Sequence, residues 1–264
     1  MILLNGQKLA DGILDDLKKE IKTRQLKLKL AVVLVGQDPS SKIYIKKKEE
    51  AARKIGLDFG LHHFKENIKQ KELGKEVAKI GKDKKNSGMI IQLPLPGSMD
   101  AKKILDLIPA QKDVDVLSEK NFEKFSAGKL KILPPTIGAI AAILKEYRIS
   151  LKGRYVVIVG AGRLVGKPLA AWLRLQKANF SILDKNTEDL SYFTKKADIL
   201  ISGVGRADLI RGDMVRQGST VIDVGGDVNF SDVSGKTSCI TPVFGGVGPL
   251  TVAYLLYNLV KINE

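Results

Sequence analysis

Continuous apolar runs that stop at a glycine alternate with helical segments along the chain, and this alternation limits the possible folds most. Residues 30–35 and 155–159 are such runs, followed directly by Gly36 and Gly160. Runs of this kind are typical of strands whose two faces are both covered by helices in a parallel sheet. The repeated strand–helix order therefore predicts an α/β protein.

The predicted elements fall into two series, separated by a polar, irregular stretch at 110–135. In the first series, Leu9, Ile13, Leu17 and Ile21 share one helix face, and Ser40 or Ser41 is the expected N-cap of a second helix. That second helix is expected at 40–55, and two more follow at 70–83 and 100–108. The strands of this series are expected at 30–35, 59–64 and 89–93. A helix at 137–147 precedes the second series, whose strands are expected at 155–159, 180–183, 199–202 and 220–224 with helical segments between them. A final helix is expected at 250–262. We expect a second α/β domain from about residue 139 to residue 246.

The composition leaves few residues for disulfide bonds or metal sites. Cys239 is the only cysteine, which excludes an intramolecular disulfide, and the two histidines, His62 and His63, are adjacent. This pair cannot form a three-histidine site, and one cysteine leaves little for structural zinc. We therefore expect no metal site.

The charge is strongly basic, with 44 Lys and Arg against 29 Asp and Glu and a net charge of +15. A basic surface suits nucleic acid, an anionic membrane or small polyanionic substrates, but lysines on solvated helix faces give the same total. No apolar run reaches the roughly 18 residues of a membrane span, and the N-terminus lacks a signal-peptide pattern. The expected location is the cytoplasm, without a membrane partner.

A glycine-rich turn, with Gly160, Gly162 and Gly166, follows the strand at 155–159. Glycines let the backbone approach a pyrophosphate, and the N-terminus of the next helix offers free N–H groups. The spacing G-x-G-x-x-x-G is one residue longer than the usual dinucleotide fingerprint, so an ordinary tight turn stays an alternative. Asp184, at the end of the next strand, can accept hydrogen bonds from ribose hydroxyls or cap the following helix.

Tyr44 and Lys48 are four residues apart and share one helix face. A ring beside an ammonium group suits a flat ligand with a reacting centre. Lysine is a useful acid or base only when its pKa is lowered, and the neighbouring Lys46 and Lys47 are expected to contribute to that lowering. The alternative is a solvated run of lysines.

Other polar or glycine-rich segments are candidate ligand contacts. Gln92 lies in a predicted buried strand, where it needs a partner or points at a ligand beyond the strand's carboxyl end. Asp113 and Asp115 would face the same side of an extended segment and could hold an amidine-like donor group, or they are ordinary loop aspartates. The glycine-rich segment 245–249 is either a flexible cap or a backbone surface that meets a ligand.

Six motifs occur in one order along the chain: VGQDPSS at 35–41, YIKKK at 44–48, QLPLP at 92–96, KDVD at 112–115, GAGRLVGKP at 160–168 and TPVFGGVGPLT at 241–251. In this respect the chain resembles the bifunctional methylenetetrahydrofolate dehydrogenase/methenyltetrahydrofolate cyclohydrolase family over essentially its whole length.

The resemblance implies two α/β domains with an active-site cleft between them. The first, at 1–138 plus 247–264, would bind folate, and the second, at 139–246, would be a Rossmann-like NAD(P)-binding domain. The implied chemistry is oxidation of 5,10-methylenetetrahydrofolate with NADP and hydrolysis of the methenyl cation to 10-formyltetrahydrofolate, in one-carbon metabolism and purine biosynthesis. The implied assembly is a homodimer through the cofactor domains.

The resemblance also implies roles for single residues. Lys48 matches the catalytic lysine, Gln92 the glutamine that supports it, Tyr44 the tyrosine that packs on folate, and Asp115 the aspartate that binds the pterin's amino–amide edge. The implied substrate loop consists of Gly245, Gly246, Val247, Gly248 and Pro249. The implied cofactor positions are Gly160, Ala161, Gly162, Arg163, Asp184, Lys185 and Gly226.

The chain departs from the family pattern mainly on the cofactor side. It has Gly162 where serine is usual, Asp184 where histidine is common, and no hairpin-like insertion after Gly225. Val116 and Phe244 replace a glycine and a proline near the folate segments. The resemblance implies NADP as the cofactor, while Asp184 keeps NAD as an alternative.

Two other functions stay open from the sequence. One is the same fold with only one of the two activities. The other is a basic nucleic-acid-binding protein, although no helix-turn-helix, zinc-finger or aromatic stacking signature accompanies the charge.

Overall fold

The computed structural model describes residues 1–264, which divide into two compact units. Residues 11–135 and 252–264 form one of them, here called the three-stranded unit; residues 1–10 and 136–251 form the six-stranded unit. In chain order the strands and α-helices are β1 (Ile2–Leu3), α1 (Gly6–Thr23), β2 (Lys29–Val35), α2 (Pro39–Lys54), β3 (Asp58–Phe64), α3 (Gln70–Lys82), β4 (Gly88–Ile91), α4 (Ala101–Leu105), α5 (Glu119–Ser126), α6 (Pro135–Glu146), β5 (Tyr155–Val159), α7 (Gly166–Leu175), β6 (Asn179–Leu183), α8 (Leu190–Thr194), β7 (Ile199–Ser202), β8 (Thr220–Asp223), α9 (Phe230–Ser234), β9 (Cys239–Ile240) and α10 (Val247–Lys261).

The three-stranded sheet is parallel, with the order β3-β2-β4. Its central strand β2 is the predicted apolar run, and it is buried on both faces. Ala31, Val33 and Val35 pack with Met89 and Ile91 of β4 in one core cluster, which also includes residues of α3 and α4. The carboxyl ends of β2 and β4 therefore lie side by side, and the segments that follow them start from the same edge.

The six-stranded sheet is also parallel throughout, in the order β1-β9-β8-β7-β5-β6. From β5 the chain passes first to β6 on one side and then to β7 on the other. Ligands of open α/β sheets bind where the strand order reverses in this way, beyond the carboxyl ends of the strands. The crevice between the segments after β5 and β7 is therefore the place to look for a cofactor. The predicted α/β class with parallel sheets is confirmed.

Several local predictions need correction. Asp38, not Ser40 or Ser41, caps α2: its carboxylate accepts the Ser41 N–H at 2.7 Å, and Pro39 occupies the first turn. Proline suits that position because it has no N–H to leave unpaired. The stretch expected to be irregular contains α5, which buries Asn121 and Phe125. Helix α4 ends at Leu105, three residues before the predicted end.

The N-terminal ten residues belong to the six-stranded unit, whereas the sequence division placed them in the first domain. The reason is strand β1, which pairs with β9 and continues with a hydrogen bond from Leu4 N–H to Ile240 O at 2.8 Å. Both strands have two residues, which is too short for a periodic pattern.

None of the helices is long and apolar enough to cross a membrane.

Candidate active site

Lys48 and Gln92 meet at the carboxyl edge of the three-stranded sheet. Lys48 lies on α2, which follows β2, and Gln92 comes directly after β4. The ammonium Nζ of Lys48 donates to Gln92 Oε1 at 2.9 Å. Gln92 Nε2 donates to Leu93 O at 2.7 Å, which fixes the amide with its oxygen toward the lysine. The structure thus brings together two residues that are 44 positions apart in sequence.

Burial lowers the pKa of Lys48 from its usual value of 10.5, and the negative charge of Asp115 opposes that shift. The expectation that Lys46 and Lys47 cause the shift is wrong, because both are exposed and neither contributes. Lys46 lies near Glu50 instead, with Nζ 3.9 Å from its carboxylate. A partly buried amine with a lowered pKa is neutral more often than a surface lysine, so it can accept a proton.

Asp115 is the charged partner of this lysine. Burial and the neighbouring Asp113 raise the pKa of Asp115 to about 6, although the cation of Lys48 favours its ionised form. None of the causes of this shift is a hydrogen bond from the protein. A carboxylate that no protein donor stabilises can accept donors from a ligand instead.

Asp113 is not available to accept donors from a ligand. It is fully buried, and its carboxylate accepts the Ser118 hydroxyl at 2.6 Å, the Ser118 N–H at 2.9 Å and the Leu117 N–H at 3.2 Å. These bonds hold the turn that follows Asp115. The hypothesis that the two aspartates act as a pair toward a ligand is therefore wrong for Asp113, which is structural.

The segment of Asp115 is also held from the last helix, by a residue that the sequence analysis missed. Asn258 of α10 is fully buried, and its Nδ2 donates to Val114 O at 2.9 Å and to Leu133 O at 2.8 Å. An asparagine within an otherwise apolar helix segment was the available signal. Val116, at φ +57°, is buried in a backbone conformation that is strained for a β-branched residue.

Tyr44 lies one helical turn before Lys48 on α2. Its side chain is 46% exposed, and Lys47 Nζ lies 5.8 Å from the centre of its ring. An exposed ring of this kind can pack on a flat ligand.

The predicted substrate segment 245–249 lies in the six-stranded unit. It is not a flexible cap, because the first turn of α1 holds it. Gln7 N–H donates to Gly245 O at 2.8 Å. A Cβ at Gly6 would lie only 1.9 Å from Gly246 O, so the two backbones approach as closely as glycine permits. Phe244, just before this segment, is 90% exposed.

The glycine-rich turn joins β5 to α7 in very little space. Gly160 has φ +103°, and a Cβ at Gly166 would lie 1.8 Å from Gly160 O. Gly162 is different, because nothing lies within 4 Å of the position of its Cβ. Its backbone is therefore open to a ligand at the N-terminus of α7, as pyrophosphate binding requires. Ala161 and the exposed Arg163 flank it.

The other predicted cofactor residues follow β6 and β8. Asp184 and Lys185 are exposed, and the Asp184 carboxylate accepts the Asn186 N–H at 2.9 Å. Asp184 does not cap the next helix, because Asp189 does so. Gly226 has φ +75°, and its N–H donates to Asp223 Oδ1 at 2.8 Å, so its own N–H already has a protein partner.

Two family models match the chain. The catalytic domain of tetrahydrofolate dehydrogenase/cyclohydrolase matches residues 4–115, and its NAD(P)-binding domain matches residues 134–264. The bifunctional protein FolD of Nautilia profundicola is 44% identical over 274 residues, covering 99% of this chain and 96% of that protein. The chain belongs to the tetrahydrofolate dehydrogenase/cyclohydrolase family. The resemblance found in the sequence is therefore confirmed.

Solved structures of the tetrahydrofolate dehydrogenase/cyclohydrolase family have the same fold. The crystal structure of the bifunctional enzyme FolD from Campylobacter jejuni is 39% identical and covers 99% of this chain and 98% of its own, with a TM-score of 0.94. The dehydrogenase-cyclohydrolase of Trypanosoma brucei, complexed with NADP and an inhibitor, is 28% identical with a TM-score of 0.94, and covers 99% of this chain and 97% of its own. These matches confirm the fold class with a Rossmann-like second domain.

Proposed function

We propose that this chain oxidises 5,10-methylenetetrahydrofolate with NADP and hydrolyses the resulting methenyl cation to 10-formyltetrahydrofolate. The observation that carries the proposal is the bond from Lys48 to Gln92 beside the Asp115 carboxylate, whose pKa shift includes no protein hydrogen bond, in a member of this family. The cluster contains a proton acceptor, an acceptor for ligand N–H groups and a fixed amide. No group of three or more His, Cys, Asp or Glu side chains is placed to hold a metal ion.

Asp115 and Tyr44 bind the folate in this proposal. The ionised carboxylate accepts the amino and amide N–H groups on one edge of the pterin, and two parallel bonds also fix the orientation of the ring. Tyr44 packs its exposed ring against the flat substrate.

Lys48 serves the hydrolytic step. Water attacks the cationic methenyl carbon, and the proton that it loses passes to the neutral Nζ of Lys48 as the C–O bond forms. The hydroxyl proton of the resulting carbinolamine then moves to N5 as the bond between that carbon and N5 breaks, which leaves the formyl group on N10. Gln92 holds Nζ through Oε1 and so limits where the amine can lie.

The six-stranded unit binds the cofactor, and NADP supplies a hydride acceptor when bound. Gly160, Ala161 and Gly162 contact the pyrophosphate, because this turn opens onto the N-terminus of α7, and Arg163 beside them neutralises phosphate charge of the cofactor. Asp184, Lys185 and Gly226 lie on the segments after β6 and β8, where the rest of the nucleotide is proposed to bind. We further propose that Gly245 to Pro249 contact the substrate, that the protein forms a homodimer through the six-stranded unit, and that it works in the cytoplasm.

An absorbance assay tests the proposal. The enzyme is mixed with 5,10-methylenetetrahydrofolate and NADP, and the reduced nicotinamide and the methenyl intermediate are followed together. We expect NADPH to form while the methenyl compound stays low, because the second step removes it. NADPH formation with lasting methenyl accumulation would show a dehydrogenase alone, and absence of NADPH would contradict the proposed oxidation.

The chain is expected to prefer NADP over NAD. Lys185 and Arg163 can neutralise a 2′-phosphate, whereas the exposed carboxylate of Asp184 favours a free hydroxyl. Lys185→Ala is expected to lower kcat/KM with NADP about tenfold and to leave NAD almost unaffected, since one charge-assisted bond contributes roughly 1.5–3 kcal/mol. Lys152→Ala, at another exposed lysine of this unit, is the control. An unmodified enzyme at least tenfold more efficient with NAD would show that Asp184 decides the preference.

A further inference from the structure

The carboxylate of Asp227 is a hydrogen-bonding centre in the six-stranded unit that the mechanism above does not use. The residue is fully buried. Its two oxygens accept four hydrogen bonds: from Ser202 Oγ at 2.6 Å, Val204 N–H at 2.8 Å, Gly205 N–H at 2.6 Å and Arg206 N–H at 2.7 Å. Three consecutive backbone N–H groups thus converge on one side chain.

Those N–H groups belong to the segment 203–206, which follows β7 and forms one side of the crevice where the strand order reverses. The segment contacts the glycine-rich turn on the other side. A Cβ at Gly160 would lie 2.9 Å from Gly203 O, and a Cβ at Gly203 would lie 2.5 Å from a methyl carbon of Val165. The position of 203–206 therefore affects the turn that follows β5.

Asp227 lies in the segment that follows β8, and Asp223, the last residue of that strand, holds this segment in place. The Asp223 carboxylate accepts the N–H groups of Gly226 at 2.8 Å, Asp227 at 3.0 Å and Val228 at 3.1 Å. Only glycine fits at position 225, because a Cβ there would lie 2.6 Å from Asp227 Oδ2. The half-buried Asp223 carboxylate thus orders the segment that carries Asp227, and the buried Asp227 carboxylate joins that segment to 203–206.

We propose that Asp227 is a positioning residue for the dehydrogenase step, whose carboxylate holds the 203–206 backbone in the conformation that binds NADP. This inference rests on the proposed function, which places the cofactor at this edge of the sheet. A carboxylate is suited to this role because both of its oxygens only accept hydrogen bonds. An asparagine of the same shape would turn an NH2 group toward backbone N–H donors and leave some of them unpaired.

The test compares Asp227→Asn with the parent enzyme. The variant is expected to raise the KM for NADP and the Kd for NADP, measured by calorimetry, at least tenfold. The kcat of the dehydrogenase at saturating NADP should change less than threefold. Cyclohydrolase activity, measured with methenyltetrahydrofolate and no NADP, should stay within twofold of the parent, because Lys48 and Gln92, which are proposed to catalyse it, lie in the other unit.

Two further variants separate positioning from a general loss of stability. Asp232→Asn makes the same change at another carboxylate of this unit, which accepts the Gly212 N–H at 2.6 Å and none of the N–H groups that bond to Asp227. It should leave NADP binding unchanged. Ser202→Ala removes one of the four bonds to Asp227 and leaves the N–H groups paired, so we expect a three- to fivefold rise in the Kd for NADP.

Unchanged NADP binding in Asp227→Asn would overturn the inference, and so would an equal effect of Asp232→Asn or a parallel loss of cyclohydrolase activity. If Asp227→Asn does not fold, the result for Ser202→Ala decides, and an unchanged Kd there would contradict the inference. A parent enzyme that binds NADP without oxidising the folate would refute the proposed function, while the calorimetric comparison would still test the role of Asp227.

Discussion

Replacing Asp115 by alanine is expected to abolish both activities by removing the acceptor for the pterin. The carboxylate is proposed to accept two ligand N–H groups in a partly buried place, and each donor left unpaired costs about 1–3 kcal/mol. We therefore expect kcat/KM for both reactions to fall at least about thirtyfold, since each 1.4 kcal/mol corresponds to a factor of about ten. The measurement is both rates together with the affinity for a folate substrate.

Asp100→Ala is the matched control for this variant. Asp100 is an exposed aspartate of the same unit whose side chain accepts the Lys103 N–H at 3.2 Å, so its loss weakens a short helix without affecting the cluster. Both activities should survive in this control. An Asp115→Ala enzyme that binds folate as tightly as the parent would show that Asp115 is not the pterin acceptor.

Replacing Lys48 by methionine is expected to separate the two reactions. Methionine keeps a long apolar side chain but has no amine, so the water that attacks the methenyl carbon loses its proton acceptor. Cyclohydrolase activity should fall by at least about a hundredfold, the lower end of the usual contribution of a general acid or base. Hydride transfer releases no proton and depends on placement, so dehydrogenase activity should stay measurable and methenyltetrahydrofolate should accumulate.

Lys47→Met provides the comparison, because Lys47 is the exposed neighbour and makes no bond to Gln92. It should keep both activities. Loss of both activities in Lys48→Met, with folding and folate binding intact, would mean that Lys48 also positions the substrate for hydride transfer. An unchanged cyclohydrolase would mean that Lys48 is not the proton acceptor.

Much of the fold follows from the sequence, because the apolar runs are long enough to identify the central strands. The run at 155–159 is the whole of β5, and 199–202 is the whole of β7. The two-residue strands β1 and β9 could not be predicted, because their pairing depends on contacts between residues about 240 positions apart. That pairing is also why the first ten residues join the six-stranded unit.

The candidate site was only partly predictable, and for a physical reason. Motif resemblance selected Lys48, Gln92 and Asp115, and the parallel order of β2 and β4 explains why the first two meet. The cause of the lowered pKa of Lys48 could not be predicted, because burial is a property of the fold and not of the adjacent lysines. The roles of Asp113, Asp227 and Asn258 were hidden for the same reason, since each is defined by its backbone partners.

The pH dependence of methenyltetrahydrofolate hydrolysis tests the central role of Lys48 most directly. The amine must be neutral to accept a proton, so the enzymatic rate, corrected for the uncatalysed rate, should rise with pH through a pKa below 10.5. Below a pH of about 6, Asp115 becomes protonated and the KM for folate should increase. The account predicts that Lys48→Met lacks the rising limb but keeps the increase in KM at low pH. A rising limb that is the same in the parent and in Lys48→Met would contradict it.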